Sequence, residues 1–253
     1  MAIRHFSTRI DSRLGGILAD LEGTLVGAAF KDRALSLATS TLLDDAIDRR
    51  AALRTQLWML EWVGTDGLTL TAAGYVKPAD VRAIAEVLPL MRDWIFRVTT
   101  EIHTQPVLYF REYLASAGLL RKYKGTLRVT QKGRSGLRDP DFLWTHLAST
   151  LIPSRTGFVR DASVVVLVHM GTTEGRIDVN EIASTMTTLG WARSSRSPID
   201  QYDLHPVWNG LWSALGNVGE RVEVEHYSRD RRLSPAAVAM IREALFTDSP
   251  RSW

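Results

Sequence analysis

The chain has 253 residues, no cysteine and a formal net charge of +3. With 45% hydrophobic residues it can bury a core, and its length suits one large domain or two or three small ones. The absence of cysteine excludes a disulfide framework, a thiolate metal site and a cysteine nucleophile.

Residues 1–36 mix Gly15, Gly16, Gly23 and Gly27 with short apolar pieces and are expected to form an N-terminal arm. Met1 through Ile10 carry no apolar signal core. The stretch Ile17-Leu18-Ala19-Asp20-Leu21-Glu22-Gly23-Thr24-Leu25 resembles the nucleophile loop of haloacid-dehalogenase-type phosphatases. In those enzymes an aspartate following a strand attacks phosphorus, a second acid two residues on protonates the leaving group, and Mg²⁺ neutralises charge. Here the second acid is Glu22, glycines interrupt the preceding stretch, and no run of strand–helix–strand units follows. An Asp20-dependent phosphatase is therefore the weakest of the readings. From residue 34 to 63, Leu35, Leu37, Leu42, Leu43, Ile47, Leu53, Leu57 and Leu60 recur mostly at spacings of three and four, which predicts helix with a turn near residues 39–41.

Gly64 and Gly67 then signal a turn, Leu68-Thr69-Leu70-Thr71 alternates as a short strand, and Gly74 breaks it. Pro78 sits where a first helical residue belongs, ahead of the stripe Val81, Ile84, Ala85 and Leu88. Thr104 opens a helix to about residue 117 with Val107, Phe110, Leu114 and Ala117 in register, leaving Arg111, Glu112 and Ser116 on its exposed side. Gly118 stops it, and residues 119–130 read as strand, tight turn at Gly125, and strand. Leu127-Arg128-Val129-Thr130-Gln131-Lys132-Gly133 aligns with Leu68-Thr69-Leu70-Thr71-Ala72-Ala73-Gly74 at a constant offset of 59. Asp139-Pro140 caps a helix carrying Phe142, Leu143, Leu147 and Leu151. The apolar run 164–168 is assigned to a helix because Asp161 precedes it and Gly171 follows. Asp178 and Glu181 form a capping-box pattern for a helix with Ile182, Met186 and Leu189, stopped by Gly190. His205-Pro206 opens a helix with Val207, Leu211, Trp212 and Leu215; residues 222–227 alternate as a strand, residues 228–232 make a charged tip, and Leu233-Ser234-Pro235 leads into a last helix.

The recurring order of helix, short strand, polar tip, strand and helix predicts a mainly α fold with small β-hairpins, in tandem winged-helix-like units packed as an array. The expected divisions are an N-terminal arm over 1–36 and winged-helix-like units over 37–100, 101–155 and 156–253. The motifs around Thr104, Gly118 and Gly125–Arg134, with Asp139-Pro140-Asp141-Phe142-Leu143-Trp144 and residues 68–78, resemble an uncharacterised family of actinobacterial proteins. The family is expected to be built of tandem winged helices, and related regions are sometimes fused to a plasmid-derived open-reading-frame domain. The likeness is good from about residue 57 to 151. It implies a stacked winged-helix architecture and carries no established activity or catalytic residue.

Charge placement says more than the total. Net charge is −1 over residues 1–120, +7 over 121–138 and −3 over 139–253. The central island holds Arg121, Lys122, Lys124, Arg128, Lys132, Arg134 and Arg138 with no acid. On a winged helix such cations neutralise phosphates, so a non-enzymatic protein contacting double-stranded DNA through Arg121, Lys122, Lys124, Arg128, Lys132 and Arg134 is expected. Leu127 and Val129 should face the core, with Arg128 and Thr130 outward, and Tyr123 either stacks on a base or covers the core. The helix before the wing lacks base readers, which favours phosphate contact over sequence readout. Asn209 and Ser213 are weaker candidates, beside Trp208 and Trp212. The alternative is a protein-interaction scaffold or homo-oligomer in which exposed tryptophans anchor the partner. No histidine pair has zinc-ligand spacing, His146 reads as a satisfied boundary residue, and His169 reads as a helix-end residue. No cofactor or metal is expected. No apolar run is long enough for a bilayer, so no membrane association and a cytoplasmic location are expected.

Overall fold

The computed structural model describes residues 8–39, 47–173, 175–220 and 232–248. They are mainly helical, with a three-stranded sheet and a two-stranded one. The described residues start with β1 (Thr8–Ile10) and α1 (Ser12–Asp20), the latter capped by the Asp11 carboxylate on the Arg13 amide. The long helix α2 (Leu25–Thr39) follows, with Phe30, Ala34 and Leu37 buried. The arm is thus two packed helices over its described part. Ile17 through Asp20 belong to α1, and Asp20 and Glu22 are exposed. This corrects the phosphatase reading, which needs a strand leading into Asp20.

A short α3 (Arg49–Ala52) leads into α4 (Arg54–Val63), β2 (Leu68–Thr69) and α5 (Pro78–Val87). Leu70 bridges Val76 across the turn, where Thr71 Oγ1 accepts from the Tyr75 amide. Pro78 stands at the first helical position, and Val81, Ile84, Ala85 and Leu88 are buried as their spacing predicts. Two short 3₁₀ turns then connect to α6 (Gln105–Ser116), β3 (Leu120–Tyr123) and β4 (Thr126–Val129). β4 pairs with both β3 and β2, so the sheet order is β2-β4-β3. The strand assigned by sequence to the unit 37–100 therefore completes the hairpin assigned to 101–155, and the two share one sheet. Leu68 pairs with Leu127, so the two copies of the repeat are partners in this sheet. The copies diverge immediately afterwards. Thr71 caps a turn, whereas Thr130 accepts from the Gly133 amide and starts α7 (Gln131–Arg138), a helix the sequence did not announce.

Gly133 shows why α7 carries glycines. A Cβ there would lie 2.5 Å from the Leu119 carbonyl oxygen and 2.7 Å from Val129 Cγ1. The helix thus lies directly on the hairpin's backbone. Gly133→Ala is expected to destabilise the fold by about 1–3 kcal/mol through overpacking, read as a shift in urea midpoint at constant m-value.

The remaining helices are α8 (Pro140–Thr150), α9 (Phe158–Thr172), α10 (Val179–Thr188), α11 (Gln201–Leu215) and α12 (Pro235–Leu245). Asp139 caps α8 and Ser234 caps α12 as their sequence patterns predict. Phe142, expected in the core, is 40% exposed. The helical assignment of residues 164–168 holds. α9 is the hub, packed against α1, α2, α10, α11 and α12. Every residue from 162 to 170 is buried, which explains the run of valines with no polar stripe. β5 (Phe246–Asp248) returns to pair antiparallel with β1. α11 begins at Gln201 under a complete capping box of Asp200 and Asp203, so Pro206 sits inside the helix and not at its opening. At α10 the pattern is half used: Asp178 caps, while Glu181 pairs with Arg33 of α2. The strand expected at 222–227 and most of the tip at 228–232 lie outside the described residues.

His169 occupies the last turn of α9 but is 1% exposed, with neither ring nitrogen hydrogen-bonded. Its Nδ1 is 4.0 Å from Glu181, and the Phe30 ring lies on another side. Burial holds the imidazole at about 4, below its ordinary 6.5; Glu181 and Asp178 pull it up and Arg33 pushes it down. It is thus a helix-end residue, as its position predicts, held neutral in the core. The unfolded chain takes up a proton near pH 6.5 that the folded protein resists until about pH 4. Stability should be fully present above that window and fall by up to about 3 kcal/mol on acidification through it. Urea unfolding from pH 7.5 to 4 should show this slope, and His169→Leu should flatten it.

Candidate nucleic-acid interface

The hairpin β3–β4 is closed by Lys124 and Gly125, with φ values of 46° and 72°. Tyr123 and Thr126 pair directly across this two-residue turn, so it takes the form whose twist suits a hairpin. Glycine makes its second position free of strain, and Lys124 is one of two non-glycine residues of positive φ among the described residues.

The pleat sorts the side chains. Leu127, Val129 and Leu120 are buried, as the alternation predicts. Arg121, Tyr123 and Arg128 take the other face. There the Tyr123 ring has three cations around it: Arg121 at 5.4 Å, Lys124 at 5.4 Å and Arg128 at 5.5 Å from its centroid. Tyr123 is 42% exposed, so it does not cover the core. Lys122 pairs with Leu127 and leaves the sheet on the opposite side, its Nζ 5.9 Å from the Tyr75 ring.

Lys132 and Arg134 are elsewhere. Both lie on α7, which leaves the hairpin at its base, and neither flanks the tip. Arg134 donates to the Val129 carbonyl at 3.0 Å, and Lys132 Nζ lies beside Gly118. The structure therefore brings Arg121, Lys124 and Arg128 together around Tyr123. Lys122 stands on the other face, and Lys132, Arg134 and Arg138 stand on the adjoining helix.

None of these seven cations pairs with a carboxylate among the described residues, while Arg13, Arg33, Arg49, Arg54, Arg111, Arg160 and Arg193 all do. Arg121 and Arg128 are direct cross-strand partners. Like charges in that register are destabilising, and cation–π contact with Tyr123 offsets part of the cost. β3 is an edge strand, where charge discourages pairing with other chains. That role covers β3 but leaves the cations of β4 and α7 unexplained.

α6 departs from expectation in one respect. Arg111 is 3% exposed, and its Nε donates to the Glu101 carboxylate, which is fully buried. The other Glu101 oxygen accepts from the Val76 amide at 2.7 Å. Arg111 is therefore unavailable to a partner, and the exposed residues of α6 are Gln105, Glu112 and Ser116. α6 also packs against α11. Ser213 is buried and Asn209 exposed; Trp208 and Trp212 are half-buried. His146 Nε2 meets the Ala117 carbonyl at 2.7 Å, in keeping with a satisfied boundary residue. No group of three His, Asp or Glu suited to a metal occurs among the described residues. None of their helices is long and apolar enough to cross a membrane.

Residues 50–141 match the family model described as the Y4jL N-terminal domain. That range runs from α3 into the start of α8 and encloses the whole three-stranded sheet. No curated protein and no solved structure matches the chain.

Proposed function

We propose that residues 49–138 form a winged-helix module that contacts the phosphates of double-stranded DNA through Arg121, Lys122, Lys124, Arg128, Lys132 and Arg134. From α4 to β4 the order helix, strand, helix, helix, strand, strand supports the winged-helix reading, as does the β2-β4-β3 sheet with the hairpin at its edge. The observation that carries the function is the cluster of Arg121, Lys124 and Arg128 around Tyr123. Arg121 and Arg128 face one another in register with Lys124 at the turn beside them, and no carboxylate among the described residues offsets them. A polyanion is the partner that turns this arrangement from a cost into a gain. α6 supports phosphate contact over base reading, because its exposed residues include an acid and a single amide.

Fluorescence anisotropy with a labelled duplex at low and moderate salt tests the proposal. Binding that weakens with salt and is lost on charge reversal of the hairpin supports it. No binding at low salt overturns it.

A second reading, a protein-interaction scaffold, has an observation of its own. Trp62 is 44% exposed and stacked on Trp58 at 5.1 Å, and Ile95 and Phe96 are 86% and 66% exposed. Light scattering of the nuclease-treated protein, with Trp62→Ala as comparison, separates self-association from DNA binding.

A further inference from the structure

The helix that precedes the hairpin faces α11 across a cleft. On α6 the stripe Tyr109, Glu112, Tyr113 and Ser116 lines one wall, at the i, i+3, i+4, i+7 spacing of a single helix face. On α11 Val207, Gly210, Leu211 and Ala214 line the other at the same spacing. The ends of α8 and α9 form the floor, through Thr150 and Ser163 among others. The cleft is open to solvent on one side, and its volume is about 630 Å³, in the range of small-molecule sites.

Three features of this cleft point to a ligand. The first is the Tyr113 hydroxyl, which is buried and makes no hydrogen bond of normal length and angle, although the Thr150 hydroxyl lies near it. Thr150 and Ser163, the nearby floor hydroxyls, donate to the Leu147 and Val159 carbonyls of their own helices. Burial pushes the Tyr113 phenol well above its ordinary value, with only partial relief from Thr150, so it stays protonated and offers a donor. An orphaned buried donor costs free energy that a bound acceptor returns. The second is Gly210. A helix-interior glycine is worth about 1 kcal/mol less than alanine, and a Cβ at this position would meet no atom within 4 Å. Packing does not require a glycine there, and the open space in front of it belongs to the cleft. The third is charge. Glu112 is the sole formally charged lining residue apart from the titratable His205, so nothing in the cleft neutralises an anion.

We propose that this cleft is a binding site for an uncharged, mostly apolar small molecule bearing a carbonyl oxygen, which accepts the Tyr113 hydrogen bond while its body lies between α6 and α11. The site is separate from the basic hairpin and does not depend on DNA binding.

The test uses prodan, a neutral naphthyl ketone whose emission shifts blue in apolar surroundings and red when its carbonyl accepts a hydrogen bond. Titrated into the full chain, it should show one saturable site. Tyr113→Phe keeps the ring and removes the donor; it should weaken binding about three- to tenfold and shift the bound emission further to the blue. Gly210→Trp fills the cleft and should abolish binding, with circular dichroism confirming an intact helical fold. Gly210→Ala, which adds one methyl to open space, should fold at least as stably and still bind. The absence of saturable binding to the wild-type chain overturns the proposal. So does binding that survives Gly210→Trp in a folded protein, or bound emission unmoved by Tyr113→Phe.

Discussion

Glu101→Ala is expected to cost about 3–5 kcal/mol of stability, enough to lower the melting temperature by on the order of 10 °C. Glu101 is fully buried, with one oxygen facing the Arg111 guanidinium and the other accepting from the Val76 amide. Truncation leaves a buried guanidinium without its counter-charge and a backbone donor without its acceptor. The remaining contact of Arg111, with Glu112 at 3.6 Å, reaches a half-exposed carboxylate and cannot substitute. Glu101→Gln divides the loss. The amide oxygen can still accept from Val76, so only the charge is removed and the cost should be smaller. The double change Glu101→Gln with Arg111→Met should be less damaging than Glu101→Ala alone, because it removes the unpaired charge together with its partner. Urea unfolding of the four proteins measures these differences. Equal losses for all three variants would show that the pair makes no coupled contribution.

That pair ties the turn before α5 to α6, the helix that leads into the hairpin. It fixes the position of the basic surface without belonging to it. Nothing in the sequence marked it. Arg111 stood among helical residues where charge ordinarily faces water, and its partner lies ten positions back at the start of a 3₁₀ turn. What the sequence did show was local chemistry. Asp139 before Pro140, Gly118 after α6, and the alternation of Leu127 and Val129 each produce their element through contacts within a few residues. The valines of α9 were assigned to a helix on Asp161 and Gly171, yet both lie inside the helix, whose N-cap Gly157 carries no side-chain bond. Where long-range packing governs, the reading failed. Gly133 and Gly136 look like helix breakers, yet they are the positions at which α7 approaches the Leu119 carbonyl and the Leu143 side chain. The repeat at offset 59 was real but suggested separate units, whereas its two copies pair with each other in one sheet. Of the candidate interface, the cations were legible as a cluster in sequence. Their division between the two faces of the hairpin and α7 was set by register and by a helix whose glycines pack on the hairpin backbone.

Reversing three charges, Arg121→Glu, Lys124→Glu and Arg128→Glu, is expected to abolish measurable binding to a DNA duplex at moderate salt. If the hairpin and its neighbours neutralise about four phosphates, the logarithm of the association constant should fall with the logarithm of salt at a slope of about −3.5. Affinity would then drop by on the order of a hundredfold between 50 and 200 mM salt, and scrambled duplexes should bind within a few-fold of one another. Removing three contacts should bring the slope to about −1 or less. A loss of binding in this triple variant could still reflect damage to the hairpin, and the single change Arg121→Glu resolves that ambiguity. It replaces a like-charged cross-strand pair by an opposite-charged one, with the new carboxylate facing Arg128 in the same register. Stability should therefore rise by about 0.2–1 kcal/mol while DNA affinity falls. A basic hairpin kept for solubility or edge protection predicts no such opposition, because neither role changes duplex affinity. A variant that becomes both more stable and equally tight in binding would remove the Tyr123 cluster from the interface and leave Lys132 and Arg134 on α7 as the contacts to pursue.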